Sequence, residues 1–80
     1  MMKGKVTHYF GKVEVAVVKM ECDLKIGDTL HFLGRDIDFK QKIESMEIEH
    51  EQIEKVEAYQ EVAIKIDHKV NKYTVIYKVI

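Results

Sequence analysis

Polar and apolar residues alternate with a period of two over much of the chain. Val13, Val15 and Val17 interleave with Lys12, Glu14 and Ala16. Val62, Ile64 and Ile66 interleave with Glu61, Ala63 and Lys65, and Val75, Tyr77 and Val79 with Thr74, Ile76 and Lys78. Successive side chains of an extended strand point to opposite faces, so each run predicts a strand whose Val, Ile and Tyr positions face a core. Val6, His8 and Phe10 share a predicted inner face, with Lys5, Thr7 and Tyr9 outside. Leu30 and Phe32 repeat the pattern after the turn signal Ile26-Gly27-Asp28. Gly11 and Gly34-Arg35-Asp36 mark two further turns, since glycine accepts positive φ without a steric cost.

Lys40 to Gln60 carries two competing periods. Ile43, Met46, His50 and Ile53 fall on a helical stripe within a segment free of Gly and Pro. The same segment also alternates, through Phe39, Gln41 and Ile43 and then, one residue out of phase, through Met46 and Ile48. A β-bulge near Glu44-Ser45 would produce that change of phase, and strand is the favoured reading. Composition points the same way. Ten Val and nine Ile stand against three Leu and three Ala, a β-branched excess suited to pleated sheet. Six or so short strands in 80 residues predict one domain spanning residues 1–80. Its predicted architecture is a small closed, six-stranded Greek-key β-barrel, closure being the simplest way to protect sheet edges in so short a chain.

Charge and chemistry narrow the function classes. Thirteen Lys plus Arg against fourteen Asp plus Glu leave a net charge of −1, unlike a dedicated non-specific nucleic-acid binder. The charge is nevertheless uneven: Glu44 to Glu61 holds seven Glu and one Lys, whereas Met1 to Lys19 holds four Lys and one Glu. The single Cys22 has no disulfide partner in the chain and lies between Glu21 and Asp23, which disfavour its thiolate; a reducing, cytoplasmic setting is expected. No apolar run approaches the roughly 20 residues of a membrane span, so no membrane partner is expected. His8, His31, His50 and His68 lie about 20 residues apart with no metal-ligand spacing. No glycine-rich phosphate loop is present, and the glutamates read as a solvated face rather than a tuned acid/base pair. The chain is therefore expected to be no enzyme and to need no metal, nucleotide or other cofactor. Lys5, Tyr9, Lys12, Arg35 and Lys42 are the candidate partner-binding residues, because an exposed ring among lysines can stack a nucleobase while neutralising its phosphates.

Five segments carry a family resemblance: Gly4 to Phe10, Leu24-Lys25-Ile26-Gly27-Asp28, Asp38-Phe39, Ile43 to His50, and Glu61 to Ile66. They resemble the second, β-barrel domain of translational GTPases of the elongation factor Tu class. They resemble more closely the small stand-alone elongation-factor-like proteins and the C-terminal barrel of the collagenase-like peptidase family. Gly4, Val6, Gly27, Asp28, Ser45 and Met46 sit in the matched turns and strands, and the resemblance implies strands across Lys40 to Gln60. The chain departs from the family at Tyr59-Gln60 and Tyr73-Thr74, where a Gly-Asp turn is usual, so those turns are expected to be built differently or more loosely. No GTPase domain or aminoacyl-tRNA-binding residue carries over. The resemblance implies a non-enzymatic module in a translation- or RNA-related setting that contacts RNA. The alternative is a protein-interaction subunit acting in trans with a collagenase-like peptidase or another partner.

Overall fold

The structure is a computed structural model that describes residues 2–80. All the regular elements among them are β-strands: β1 (Lys3–Phe10), β2 (Val15–Met20), β3 (Leu24–Lys25), β4 (Thr29–Gly34), β5 (Ile37–Lys42), β6 (Met46–Ile48), β7 (Glu51–Ile53), β8 (Lys55–Val56), β9 (Glu61–Lys65) and β10 (Val75–Val79). The all-β expectation holds, with ten strands in place of six. Lys40 to Gln60 consists of short strands joined by turns and irregular links, with no helix, so the helical stripe is coincidental. The phase change there arises at Ile43 to Ser45, where the chain leaves β5 and crosses to pair with β9, and is not a bulge within one strand.

Every ladder is antiparallel. The main sheet runs β5-β4-β10-β1-β2-β9-β6-β7, and β3 and β8 form a separate ribbon. Its ladder ends at β5 and β7, yet β5 is tied to the chain just beyond β9 by one side chain. The Gln41 amide donates to the Lys65 carbonyl at 2.8 Å and accepts from the Asp67 N–H at 2.9 Å. These are the two bonds that a paired strand would offer across from Ile66, so a side chain completes the seam where the backbone ladder stops. His68 reinforces it by stacking on Phe39, which stacks in turn on Phe32, with centroids 4.4 and 4.8 Å apart.

One cluster of buried apolar side chains fills the interior, with Phe32, Leu30, Ile43, Met46, Ile64 and Ile76 among its largest members. The faces predicted for β4 and β9 are correct: Leu30, Phe32, Val62 and Ile64 are buried, as is Ile66 just beyond β9. Two strands are out of phase with expectation. In β2 the buried residues are Ala16, Val18 and Met20, while Val13 is 61% exposed in the preceding turn. In β10 Ile76 is buried, and Val75, Tyr77 and Val79 face outward. Both strands are apolar on both faces, so their phase is set by cross-strand partners such as Val18 with Val6 and Val62, and Ile76 with Gly4 and Phe32. The inward phase of β10 also includes Lys78, whose ammonium turns to Asp28 Oδ2 at 3.2 Å and the Asp23 carbonyl at 3.1 Å.

A register shift between Val6 and His8 corrects the expectation for β1. The bulge at Thr7 reverses the alternation, so His8 and Phe10 are exposed and Tyr9 packs half-buried against the core. Gly4, on the inward phase before the bulge, lies where the backbones of β1 and β2 approach closely. A β-carbon at Gly4 would collide with the Lys19 carbonyl oxygen and lie 2.5 Å from Met20 Sδ.

One turn is used three times. In Lys25-Ile26-Gly27-Asp28, Glu57-Ala58-Tyr59-Gln60 and Asn71-Lys72-Tyr73-Thr74, the fourth N–H bonds the first carbonyl at 3.1, 3.4 and 3.1 Å. The fourth side chain accepts from the first N–H at 3.0, 3.4 and 3.1 Å. The third residue is left-handed, with φ of 97°, 70° and 72°. Its N–H reaches out to Ile43, Met20 and Val6 carbonyls respectively, locking each turn to a neighbouring segment. Tyr59-Gln60 and Tyr73-Thr74 thus build the same turn and not a different one, and the turn at Tyr59-Gln60 is the looser of the three, with both of its internal bonds at 3.4 Å. They build the glycine turn with tyrosine, at a cost of about 1–2 kcal/mol each for the β-carbon in left-handed backbone.

Gly4→Ala is expected to destabilise the fold by about 2–3 kcal/mol or more, because the added methyl meets backbone that cannot yield. Chemical denaturation of the purified protein measures this, with a midpoint shift at unchanged slope as the expected result.

Candidate functional site

The two tyrosine turns flank the centre of the sheet, one bonded to Val6 in β1 and the other to Met20 in β2. Their backbones are held rigidly and their rings project outward, each 64% exposed. Between them lies an open groove of about 460 Å³, lined by Lys3, Gly4, Lys5, Lys19, Met20, Glu21, Tyr59, Tyr73 and Val75. Its lysines come from the outward positions of β1 and β2, where Lys5 pairs with Val75 on one side and Lys19 on the other. The ammonium groups of Lys5 and Lys72 lie 5.6 and 5.2 Å from the centroid of the Tyr73 ring, within cation–π range. Glu21 is the one carboxylate in the lining. Glu61, across from Lys19, accepts a 2.8 Å hydrogen bond from Thr7 Oγ1.

An apolar stripe leads away from the groove along the outer face of β10. Val75, Tyr77 and Val79 are 38%, 44% and 37% exposed. Tyr77 is flanked by Lys3 of β1 and by His31 of β4, whose Nε2 lies 2.6 Å from Asp38 Oδ1. Three large apolar side chains in a row on an outward sheet face form the kind of patch that marks a contact surface.

Of the candidate residues read from sequence, Lys5 lies in this groove. Tyr9 is turned inward by the bulge, Lys12 is exposed in the β1–β2 turn, and Arg35 is exposed at the β4–β5 turn. Lys42 is exposed at the end of β5, opposite Thr29, two outward rows away from the Lys5–Val75–Leu33 row. The structure thus disperses these five around the sheet. The residues carrying the family resemblance are structural: Val6 and Met46 are wholly buried, Gly4 sits at the close approach, and Gly27 and Asp28 form the first turn. Ser45 is half-buried, its Oγ 3.5 Å from Gln52 Oε1. Sequence reasoning missed Tyr59, Tyr73, Lys3 and Lys19. Their signal was the threefold recurrence of a four-residue unit ending in Asp, Gln or Thr ahead of a strand.

Among the described residues no group of three His, Cys, Asp or Glu side chains is placed to hold a metal ion. The half-buried Cys22 lies by the Lys78, Asp28 and Asp23 cluster. Burial pushes its thiol above the ordinary value; Lys78 pulls the other way, and Asp23 and Asp28 push with burial.

The fold is shared with a C-terminal domain of known structure. It superposes on that of a Geobacillus thermoleovorans protein assigned as a U32 peptidase with a TM-score of 0.88 and 25% identity, covering 98% of this chain and 91% of that one. The selenomethionine variant of the same domain gives 0.89 and 25%, covering 98% and 99%. In sequence, an uncharacterized protease of Methanocaldococcus jannaschii is 32% identical over 75 residues, which is 92% of this chain. The match spans only 18% of that protease's length. No family model matches the chain. These likenesses fall on the collagenase-like peptidase side of the resemblance. None of these relatives is a translation factor.

Because the thiolate is the reactive form, the raised value means less thiolate at neutral pH. Iodoacetamide is expected to alkylate Cys22 more slowly than glutathione at pH 7.5. The rate should still be rising with pH where an ordinary thiol has levelled off, and mass spectrometry of timed samples measures it.

Proposed function

We propose that this chain is a non-catalytic protein-binding module that acts with a U32-type peptidase, as the counterpart of the domain found at the C-terminal end of such an enzyme. The observation that carries this reading is the match of 98% of the chain to such a domain. A domain evolved to sit against a larger protein needs an apolar contact face, and the outward stripe Val75, Tyr77 and Val79 with the adjoining groove supplies one. We place the module in the cytoplasm, where a lone, weakly nucleophilic Cys22 stays reduced. The protein partner is preferred to RNA because the likenesses are to peptidases and because the five candidate RNA-binding residues are spread over separate parts of the surface.

Recovery of the tagged chain from native extract, with and without nuclease, tests the reading. The expected result is one stoichiometric protein with a U32-type peptidase sequence that stays bound after nuclease and moderate salt. Recovery of nuclease-sensitive partners alone, or of the free chain, overturns it.

A further inference from the structure

We propose that the groove between Tyr59 and Tyr73 receives an extended acidic segment of the partner protein. Its carboxylates would meet Lys3, Lys5 and Lys19, and an apolar side chain would lie between the two rings. This rests on the protein-partner reading above and specifies the chemistry recognised at the same face.

Two exposed rings stand in left-handed backbone beside one groove, whereas the other non-glycine residues in that conformation, Glu14, Asp36, Glu49 and His50, are not in its lining. Gly27 shows that the same turn forms with glycine, and a β-carbon there would meet nothing within 4 Å. Conformation, not space, therefore favours glycine at this position of the turn. Tyr59 and Tyr73 adopt the strained conformation, yet neither ring joins the core, and both stand open to solvent beside one groove. The bonds from each third N–H hold the strained backbone in place, and strained residues of this kind cluster at ligand-binding sites.

Electrostatics and hydrogen bonding then select the occupant. Three lysines line the groove and Lys72 stands over Tyr73, against the single carboxylate of Glu21, so the groove is complementary to negative charge. The backbone of β1 from Lys3 to Lys5 is already paired with β10 on one side and β2 on the other, so no incoming strand can add to it. Recognition must run through side chains: carboxylates to ammonium groups, and an apolar group to the rings. Glu21 in the lining, and Glu61 beside Lys19, disfavour the continuous phosphates of a nucleic acid while tolerating spaced carboxylates.

The test uses the full chain and three forms of it: wild type, Tyr59→Gly with Tyr73→Gly, and Lys5→Glu with Lys19→Glu. Three measurements are made on each: denaturation midpoint, recovery of the protein partner from extract, and binding of a fluorescein-labelled peptide Glu-Asp-Phe-Glu-Asp-Leu. The Gln/Asn version of that peptide and oligouridylate serve as comparison probes. The glycine form should keep or raise its midpoint yet lose the partner and at least about tenfold in acidic-peptide affinity, the scale of losing a buried aromatic anchor. The lysine-reversal form should lose both as well, and wild type should prefer the acidic peptide over its neutral version. A lowered midpoint in the glycine form would show that the rings serve the fold and overturn the proposal. Equal or absent binding of the acidic and neutral peptides, or preference for oligouridylate, also overturns it. If the glycine form still recovers the partner, this groove is wrong while the partner reading stands; if wild type recovers no protein, the reading beneath it falls.

Discussion

Curvature is the constraint on which this molecule depends. Eight short strands must bend so that one face encloses a core built from only a few large side chains. Three local devices provide the bend. The bulge at Thr7 turns β1, the missing side chain of Gly4 lets β1 and β2 approach, and the Gln41 amide holds β5 to the chain beyond β9. Each uses a residue that contributes little apolar area. With so small a core, geometry that brings every large side chain inside matters more than any single contact.

The same devices explain which parts of the fold were legible in the amino-acid order. β4 and β9 were readable because each presents apolar residues on one face and polar ones on the other, as in Val62 and Ile64 against Glu61 and Lys65. β2 and β10 were not, because Val15 to Val18 and Val75 to Tyr77 are apolar without interruption and alternation cannot choose a face. Lys78 compounded the error by looking like an outer residue while reaching Asp28 from the inner phase. In β1 the bulge leaves no mark in composition, so Tyr9 and His8 exchanged faces relative to simple alternation. The helical stripe in Lys40 to Gln60 was a coincidence of spacing, overridden by pairing of β6 with β9.

The groove was harder to foresee than the fold, and for a different reason. Alternation reports which side of a strand is buried; it says nothing about which turns from distant parts of the chain will flank the same strands. Tyr59 and Tyr73 are 14 positions apart and meet around β1 and β2 only because each turn donates its third N–H to that hairpin. The apolar residues that misled the assignment of β10 are the ones that form the outer stripe. A mistaken core face and an overlooked apolar outer face were one and the same signal.

The recurring turn separates two jobs that are usually fused in a small protein. Its hydrogen bonds involve main-chain groups and the fourth side chain, leaving the third side chain outside the network. That third position can therefore exchange glycine, tyrosine or another residue while the frame around it stays constant. A domain built this way can change what it presents at two positions, much as a socket is refitted without rebuilding the wall that holds it.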